Sequence, residues 1–242
     1  LELLRPVDGV AAVRADLLQQ LGLVDEAPAE RARFASAAAG DAERLLAAAD
    51  VARRRGQPAQ SIRLALRAQT AGARRDARLY RLLFPLAYAD AVRAEAGRRQ
   101  VDASLVAALI RQESLYDPAA TSSAGARGLM QLLPEVGRQV ARTLDYATWD
   151  PVLLYQPDVN IELGTQHLTE LLSRHGNVVE VLAAYNAGAH RVVRWRTKPG
   201  TEDPEVLAER IPYTETRDYV RIIQRNRALY RALYGWNEQV IP

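Results

Sequence analysis

The sequence predicts an all-α protein in two parts, and three observations support this fold class. Alternating runs of β-branched residues, the pattern of half-buried strands, are missing from the 242 residues. Ala, Leu, Arg, Gln and Glu, which form helices readily, dominate instead. In the first third of the chain, glycines follow stretches of helical periodicity at regular intervals. We therefore predict helix hairpins first and a larger helical domain after them.

Composition indicates a globular chain and excludes several kinds of chemistry. Hydrophobic residues make up 48% and charged residues 25% of the chain, and we expect no stable membrane span because long apolar runs are missing. The absence of cysteine excludes disulfides and thiolate nucleophiles. The three histidines lack zinc-site spacing, so we expect no metal and no other cofactor. Arginines are scattered over every helix, which argues against a nucleic-acid partner.

The first region, residues 1–79, reads as the tail of a helical repeat array. Four glycines stand where helices should end, at Gly22, Gly40, Gly56 and Gly72. Apolar residues with helical spacing lie between them, at Val13, Leu17, Leu18 and Leu21 and at Leu45, Leu46 and Ala49. Such arrays need about three repeats to bury a continuous face, and only about two are visible here. We expect a longer solenoid before this region, or packing of the region against the second one.

The start of the chain, Leu-Glu-Leu-Leu, shows no signal peptide and looks cut from something longer. Pro85 marks a boundary or a kink, and from Asp102 onward Gly, Asn, Pro and Tyr become more frequent. Loops also lengthen there, and functional residues are often carried on loops held by rigid helices. We therefore place the domain boundary near residue 80, between regions 1–79 and 80–242.

A helix that carries Glu113 is predicted to begin after Asp102, which is a good N-cap. Its apolar stripe consists of Val106, Leu109 and Ile110. Glu113 is the i+7 position of that stripe, so the helical phase turns its side chain toward the interior. Pro118 disfavours helical backbone in the residue before it, and we expect the helix to end near Asp117.

This position should raise the pKa of Glu113. Burial and the negative end of the helix dipole both disfavour the ionised carboxylate. A carboxylic acid that stays protonated near neutral pH can donate a proton to a leaving oxygen. The alternative is an ordinary surface glutamate. Ser114, next in the chain, could orient the carboxylate or could simply lie at a fraying helix end.

The segment that follows, TSSAGARGLMQLLP, is a glycine-containing loop. Gly125 and Gly128 would let the backbone approach a ligand closely. Gln131 offers a donor and an acceptor together, which suits a hydroxyl or acetamido group of a sugar. The loop lacks the Gly-Lys-Ser/Thr ending of a phosphate-binding loop.

Two later segments add side chains that suit a sugar. Tyr185 and Asn186 stand near a helix end and offer a flat apolar face and a planar amide, although Asn and Gly also stop helices without any function. Thr214 is a plausible N-cap that places Glu215 in the first turn of the last helix. There Glu215 would bind sugar or stabilise developing positive charge, or would only stabilise the helix.

Four motifs occur together in this order: RQES at 111–114, GARGLMQLLP at 125–134, AYNAG at 184–188 and IPYTETRDYV at 211–220. On these motifs, residues 80–242 resemble the soluble lytic transglycosylases of bacterial cell-wall metabolism. The resemblance implies a goose-lysozyme-like α-helical catalytic domain at 80–242 and a superhelical, linker-like region at 1–79. It also implies a location in the cell envelope, either periplasmic or extracellular.

The resemblance further implies that the partner is the glycan strands of peptidoglycan. The family cleaves the bond between N-acetylmuramic acid and N-acetylglucosamine without water and leaves 1,6-anhydro ends. Glu113 matches the residue that acts first as acid and then as base. The residues that match the site-lining positions are Ser114, Met130, Gln131, Tyr185, Asn186, Glu215 and Tyr219. A lysozyme-type hydrolase on the same fold and a non-catalytic wall-binding helical module remain as alternatives.

Overall fold

The computed structural model describes residues 40–236 and, before them, only Leu18, Glu26 and Ala29. The described residues form eleven α-helices and one short 3-10 helix and contain no β-strand, so the all-α prediction is confirmed. The predictions for Val13, Leu17, Leu21 and Gly22 lie outside the described residues. No helix in the described part of the chain has the length and apolar character that crossing a membrane would require.

The chain divides into two compact units, one ending at Pro85 and the other beginning at Leu86. The first unit contains α1 (Ala42–Arg54), α2 (Pro58–Thr70) and α3 (Ala77–Leu83), and the predicted boundary near residue 80 falls inside α3. The helices α1 and α2 pack closely as a pair. As predicted, the apolar residues Leu45, Leu46 and Ala49 are buried in this unit.

Two of the glycines in the first unit end helices as predicted. Gly56 and Gly72 follow the C-caps of α1 and α2, with φ of 68° and 90°, a left-handed conformation that glycine adopts without strain. Gly40, just before α1, also has positive φ, at 90°. These positions support the prediction of helix pairs punctuated by glycine.

The second unit contains the remaining helices. They are α4 (Ala89–Arg98), α5 (Ala103–Ser114), α6 (Pro134–Thr143), the 3-10 helix (Pro151–Tyr155), α7 (Pro157–His175), α8 (Val178–Ala187), α9 (Ala189–Trp195), α10 (Pro204–Arg210) and α11 (Thr214–Tyr234). The long helix α11 packs against α5 and α8, while α7 packs against α4, α6 and α8. Helix α5 also packs against α4, and its middle residues are buried.

Helix α5 is buried on every side of its middle turns. All six residues from 105 to 110 are at most 1% exposed, so the single apolar stripe expected from the sequence understates the burial. A helix that is apolar all round belongs in the core of a domain. Because its middle is enclosed, α5 can present polar groups only at its two ends.

The N-terminal end of α5 is fixed by Asp102, the predicted N-cap. One carboxylate oxygen of Asp102 accepts a hydrogen bond from the backbone N–H of Ser104 at 2.8 Å. The other oxygen lies 2.6 Å from Nε of Arg227 and 2.6 Å from a guanidinium nitrogen of Arg231, both on α11. Burial raises the pKa of Asp102, but these hydrogen bonds and charges outweigh it and lower that pKa overall. The cap therefore also joins α5 to α11.

The C-terminal end of α5 comes three residues earlier than the position predicted from Pro118. The last helical residue is Ser114, and Leu115 and Tyr116 take left-handed backbone angles with φ of 52° and 65°. The hydroxyl of the fully buried Tyr116 lies 2.9 Å from that of Tyr230 and donates to the carbonyl of Ala107 at 3.2 Å. Burial of this side chain turns the backbone out of the helix before Pro118 is reached.

Candidate active site

Glu113 lies in the last turn of α5, as predicted, and is partly buried. Its Oε1 accepts a hydrogen bond from the hydroxyl of Tyr219, which lies on α11, 106 residues further along the chain. The packing of α11 on α5 therefore brings together two groups that the sequence keeps far apart. Among the described residues, no hydrogen bond or ion pair joins Glu113 to a basic side chain.

Burial raises the pKa of Glu113 from its ordinary 4.5 to about 7, although the hydrogen bond from Tyr219 acts in the opposite direction. The predicted direction of this shift is confirmed. Burial, and then the charge on Glu113, also raise the pKa values of Tyr219 and Tyr185 well above 10. Both phenols therefore stay protonated as hydrogen-bond donors. The site combines a carboxyl group that exchanges its proton near neutral pH with neighbours that do not.

Ser114 connects α5 to the glycine-containing loop instead of facing the carboxylate. Its hydroxyl donates to the carbonyl of Leu129 at 2.8 Å and lies 3.2 Å from the carbonyl of Ile110. Sequence reasoning left open whether Ser114 orients Glu113 or lies at a fraying helix end. The buried Ser114 holds the loop against the helix that carries the acid.

The loop between α5 and α6 folds back on itself around Arg127. The backbone N–H and C=O groups of Arg127 both pair with Leu132, and isolated bridges join Arg127 to Thr121 and Leu132. Gly128 takes a φ of 75°, and a Cβ atom there would lie 2.0 Å from the carbonyl oxygen of Leu154. The glycine is therefore required both by its backbone angle and by a close contact.

Met130 and Tyr185 meet at the side of this loop. The hydroxyl of Tyr185 donates to the backbone carbonyl of Met130 at 2.8 Å, and the Met130 side chain is fully buried. Met130 thus contacts Tyr185 through its backbone carbonyl and not through its side chain. The tyrosine ring contacts that of His167 on α7, with centroids 5.4 Å apart. Burial lowers the pKa of His167, which favours the neutral imidazole.

Gln131 is held by the loop through its amide nitrogen. Its Nε2 donates to the carbonyls of Gly128 and Ala120 at 2.9 and 3.1 Å, and its backbone has a positive φ of 48°. The donor half of this side chain is thus used inside the protein. The carbonyl oxygen of the amide is the part that suits a ligand.

Asn186 and Glu215, two further predicted site residues, are both exposed. The Oδ1 atom of Asn186 accepts a hydrogen bond from the hydroxyl of Thr216 at 2.7 Å, which ties the end of α8 to the first turn of α11. Glu215 is in that first turn, as predicted, and is exposed. Within the described residues, no hydrogen bond or ion pair joins it to Glu113.

The prediction that Thr214 caps α11 is wrong by one residue. The helix begins at Thr214 itself, and the N-cap position belongs to Tyr213, whose side chain makes no capping hydrogen bond. The hydroxyl of Thr214 instead accepts a hydrogen bond from the guanidinium of Arg217 at 3.2 Å. Arg217, one turn along the helix, thus binds the hydroxyl that was predicted to cap the helix.

Two residues that sequence reasoning did not single out are Asn160 and His167, both on α7. Asn160 is fully buried and bonds the backbone of the loop, and His167 packs on Tyr185. The sequence signal for Asn160 is weak, because Thr165 is another buried polar residue in the same helix. No group of three or more His, Cys, Asp or Glu side chains in residues 40–236 is arranged to hold a metal ion.

Comparison with known sequences identifies the domain that carries this site. The family described as Transglycosylase SLT domain matches residues 90–207. The soluble lytic murein transglycosylase of Salmonella typhimurium is 34% identical over 161 residues, which cover 65% of this chain and 25% of that protein. A putative soluble lytic murein transglycosylase of Haemophilus influenzae is 37% identical over 154 residues, which cover 63% and 26%. The chain thus spans about a quarter of the length of these relatives.

Solved structures show the same helical fold. An inactive mutant of the lytic transglycosylase Slt from Pseudomonas aeruginosa superposes with a TM-score of 0.81 at 30% identity, over 94% of this chain and 36% of that one. The soluble lytic transglycosylase Slt70 of Escherichia coli gives 0.79 at 28% identity, over 93% and 36%. The fold is therefore of the lysozyme-like helical class. Within that class, residues 90–207 match the SLT domain of the lytic transglycosylases.

Proposed function

We propose that this chain is a lytic transglycosylase that cleaves the bond between N-acetylmuramic acid and N-acetylglucosamine in peptidoglycan strands without water. The supporting observation is the single carboxyl group of Glu113, whose pKa of about 7 lets it both give and take a proton at neutral pH. A hydrolase generally needs a second carboxylate to activate water or to attack the sugar. Glu215, the other predicted acid, is exposed, and no hydrogen bond in the described residues joins it to Glu113.

In the first step, protonated Glu113 donates its proton to the glycosidic oxygen. The bond from that oxygen to C1 of the muramic acid breaks, and positive charge develops at C1. Because burial raises the pKa of Glu113 to about 7, the protonated acid is available near neutral pH. As the proton leaves, the carboxylate that forms is stabilised by the hydrogen bond from Tyr219.

In the second step, the Glu113 carboxylate accepts the proton of the C6 hydroxyl of the same sugar. The oxygen of that hydroxyl forms a new bond to C1, which closes the 1,6-anhydro ring and returns Glu113 to its starting form. An attack within one sugar replaces the activated water of hydrolysis, and a held conformation makes such attacks efficient. One residue thus serves twice, with no net change in protonation of the enzyme.

The other site residues are proposed to hold the glycan. The side-chain carbonyl of Gln131 and the exposed amide of Asn186 suit hydroxyl and acetamido groups, and the exposed Glu215 would bind sugar. Tyr185 and Tyr219 line the wall around Glu113. Ser114 and Met130 would act through the loop backbone that they fix, since their side chains are buried.

The relatives support the substrate and the place of action. The Salmonella typhimurium relative is named a soluble lytic murein transglycosylase and the Haemophilus influenzae relative a putative one. The solved Pseudomonas aeruginosa enzyme is an inactive mutant with glutamine in place of a glutamate. We extend their murein substrate and an action in the cell envelope to this chain. We also propose that residues 80–242 form the catalytic domain and that residues 1–79 are the end of a longer helical array.

Product analysis tests the proposal directly. Purified peptidoglycan is digested with the chain, and the released fragments are analysed by mass spectrometry. We expect fragments that weigh one water less than hydrolytic products, because the anhydro ring replaces the reducing end. Reducing ends would establish the lysozyme-type alternative, and a lack of fragments together with glycan binding would establish a wall-binding module.

The Glu113→Gln variant tests the role of the acid. Glutamine has the same shape but cannot transfer a proton, so we expect kcat/KM to fall by about 1,000-fold. The matched control is Glu202→Gln, which alters an exposed glutamate outside the helices and should keep wild-type turnover. Turnover within threefold of wild type in Glu113→Gln would exclude Glu113 as the general acid.

A further inference from the structure

We propose that Asn160 is a positioning residue for the reaction, because it fixes the backbone of Met130 that binds the hydroxyl of Tyr185. This inference rests on the proposed function only where it predicts an effect of Asn160 on turnover. Asn160 lies in the first turn of α7 and makes no hydrogen bond to Glu113 or Tyr219 in the described residues.

The amide of Asn160 is fully buried and bonds three backbone groups. Its Oδ1 accepts the N–H of Met130 at 2.7 Å. Its Nδ2 donates to the carbonyl of Arg127 at 3.0 Å and to that of Leu154 at 2.8 Å. Both N–H groups and the carbonyl oxygen are thus in use, as a buried amide requires. One side chain joins two points of the loop, Arg127 and Met130, to Leu154 in the 3-10 helix.

Gly164, one turn further along α7, receives the side chain of the same Met130. A Cβ atom on Gly164 would lie 2.3 Å from the sulfur of Met130, so any larger residue would push that side chain away. Asn160 and Gly164 are four residues apart and therefore lie on the same face of the helix. Together they hold Met130 by its backbone and by its side chain.

The position of Met130 matters because its carbonyl is the acceptor for Tyr185. That hydrogen bond, at 2.8 Å, fixes the phenol beside Glu113, whose charge contributes to the raised pKa of Tyr185. The preceding carbonyl, that of Leu129, is held by Ser114 on the catalytic helix. A shift of the loop would therefore move the hydroxyl of Tyr185 relative to the carboxyl group.

The packing of α7 does not rest on Asn160 alone. The helix α7 is anchored in the core by apolar side chains, which are Ile161, Leu163, Leu168 and Leu171, all at most 3% exposed. These residues bury the helix whether or not the amide bonds the loop. Loss of the amide should therefore displace the loop while the helix stays in place, and this separates positioning from folding.

Asn160→Asp is the first test variant, because it keeps the shape and the acceptor but places an oxygen against two carbonyl oxygens. We expect kcat on soluble peptidoglycan fragments to fall about 100-fold with KM within about twofold, since a small displacement of catalytic groups reduces turnover by this factor. Asn226→Asp is the matched control, since Asn226 is equally buried but bonds no part of the loop. The control should lose less than about fivefold in kcat.

A double-mutant cycle shows whether Asn160 acts through Tyr185. If it does, Asn160→Asp should change kcat by less than about threefold in a Tyr185→Phe background, because the hydroxyl that it positions is already missing. The control Asn226→Asp should give the same factor in both backgrounds. If the losses from Asn160→Asp and Tyr185→Phe multiply, Asn160 does not act through Tyr185 and the inference is overturned.

A spectroscopic measurement tests the positioning without any turnover. The chain is labelled with carbon-13 at Cζ of its ten tyrosines, and the Tyr185 resonance is identified by its loss in Tyr185→Phe. Asn160→Asp should shift this resonance and Asn226→Asp should not. If Asn160→Asp fails to fold, Gly164→Ala tests the same claim from the other contact with Met130. An unmoved Tyr185 resonance in the folded variant refutes the inference, whereas a shifted resonance in a chain that makes no anhydro products refutes the proposed function alone.

Discussion

At the scale of single residues, the site depends on two opposing effects on one carboxyl group. Burial at the end of α5 raises the pKa of Glu113, and the hydrogen bond from Tyr219 lowers it, leaving a value of about 7. In the proposed mechanism Glu113 is first an acid and then a base, so both its protonated and its ionised form must be populated near neutral pH. The hydrogen bond from Tyr219 favours the ionised form, which the proposed second step requires.

Tyr219→Phe should therefore raise the pKa of Glu113 above about 7. A hydrogen bond to a charged group contributes about 1.5–3 kcal/mol, which corresponds to about one to two pKa units. The alkaline limb of the pH dependence of kcat/KM should move upward by that amount, because the protonated acid persists to higher pH. Maximal turnover should fall, because the base form is less stabilised.

The measurement is a carbon-13 NMR titration of Glu113 together with the pH–rate profile. Tyr230→Phe serves as the control, since the hydroxyl of Tyr230 bonds that of Tyr116 and not Glu113. An unchanged or lowered Glu113 pKa in Tyr219→Phe would contradict the assigned role of this hydrogen bond.

At the scale of elements, the glycine-containing loop is shaped by contacts with the elements beside it. Gly125 and Gly128 both have positive φ, at 80° and 75°, and the sequence alone makes them look equivalent. A Cβ atom on Gly125 would meet no atom within 4 Å, whereas one on Gly128 would lie 2.0 Å from the carbonyl oxygen of Leu154. The first glycine satisfies a backbone angle, and the second also allows two segments to touch.

The pair Gly125→Ala and Gly128→Ala separates these two requirements. Gly125→Ala should reduce the free energy of unfolding by about 1–2 kcal/mol, the cost of a left-handed backbone for alanine. Gly128→Ala should reduce it by about 3 kcal/mol or more, because the backbone of Leu154 must also move. Urea unfolding measures both losses. Equal losses would show that the close contact between Gly128 and Leu154 does not affect stability.

At the scale of the whole molecule, stability and activity make opposite demands on Glu113. The carboxyl group titrates near 4.5 in the unfolded chain and near 7 in the folded one. Between these pH values the folded state binds more protons, so the stability that protonation contributes is present below about pH 4.5 and lost as pH rises through about 7. Above about pH 7, the ionised carboxylate of Glu113 therefore destabilises the folded state.

Glu113→Gln should be more stable than wild type above pH 7, by up to about 3 kcal/mol, and the difference should vanish near pH 4.5. Urea unfolding at pH 5 and pH 8 measures it. Fluorescence follows the second unit alone, because it contains all three tryptophans, Trp149, Trp195 and Trp236. The control Glu202→Gln should show no such pH dependence, and a wild type as stable as Glu113→Gln at pH 8 would argue against a buried charge.

The sequence by itself determined the features that depend on near neighbours in the chain. The all-α class, the cap at Asp102, the helix-ending glycines at Gly56 and Gly72 and the place of Glu113 in a last turn all follow from local propensity and periodicity. The order of four short motifs predicted the resemblance to lytic transglycosylases, whose SLT domain matches residues 90–207. Local propensity and motif order can be determined from the sequence alone.

Only the tertiary structure decided the contacts between distant segments. Tyr219 bonds Glu113 across 106 residues, and Asn160 bonds Met130 across 30. The early end of α5 depends in the same way on the burial of Tyr116 against Tyr230. Helical periodicity says which side of a helix is buried but not which group on another helix it meets. The pKa of the acid and the position of its neighbours are therefore properties of the packed helices.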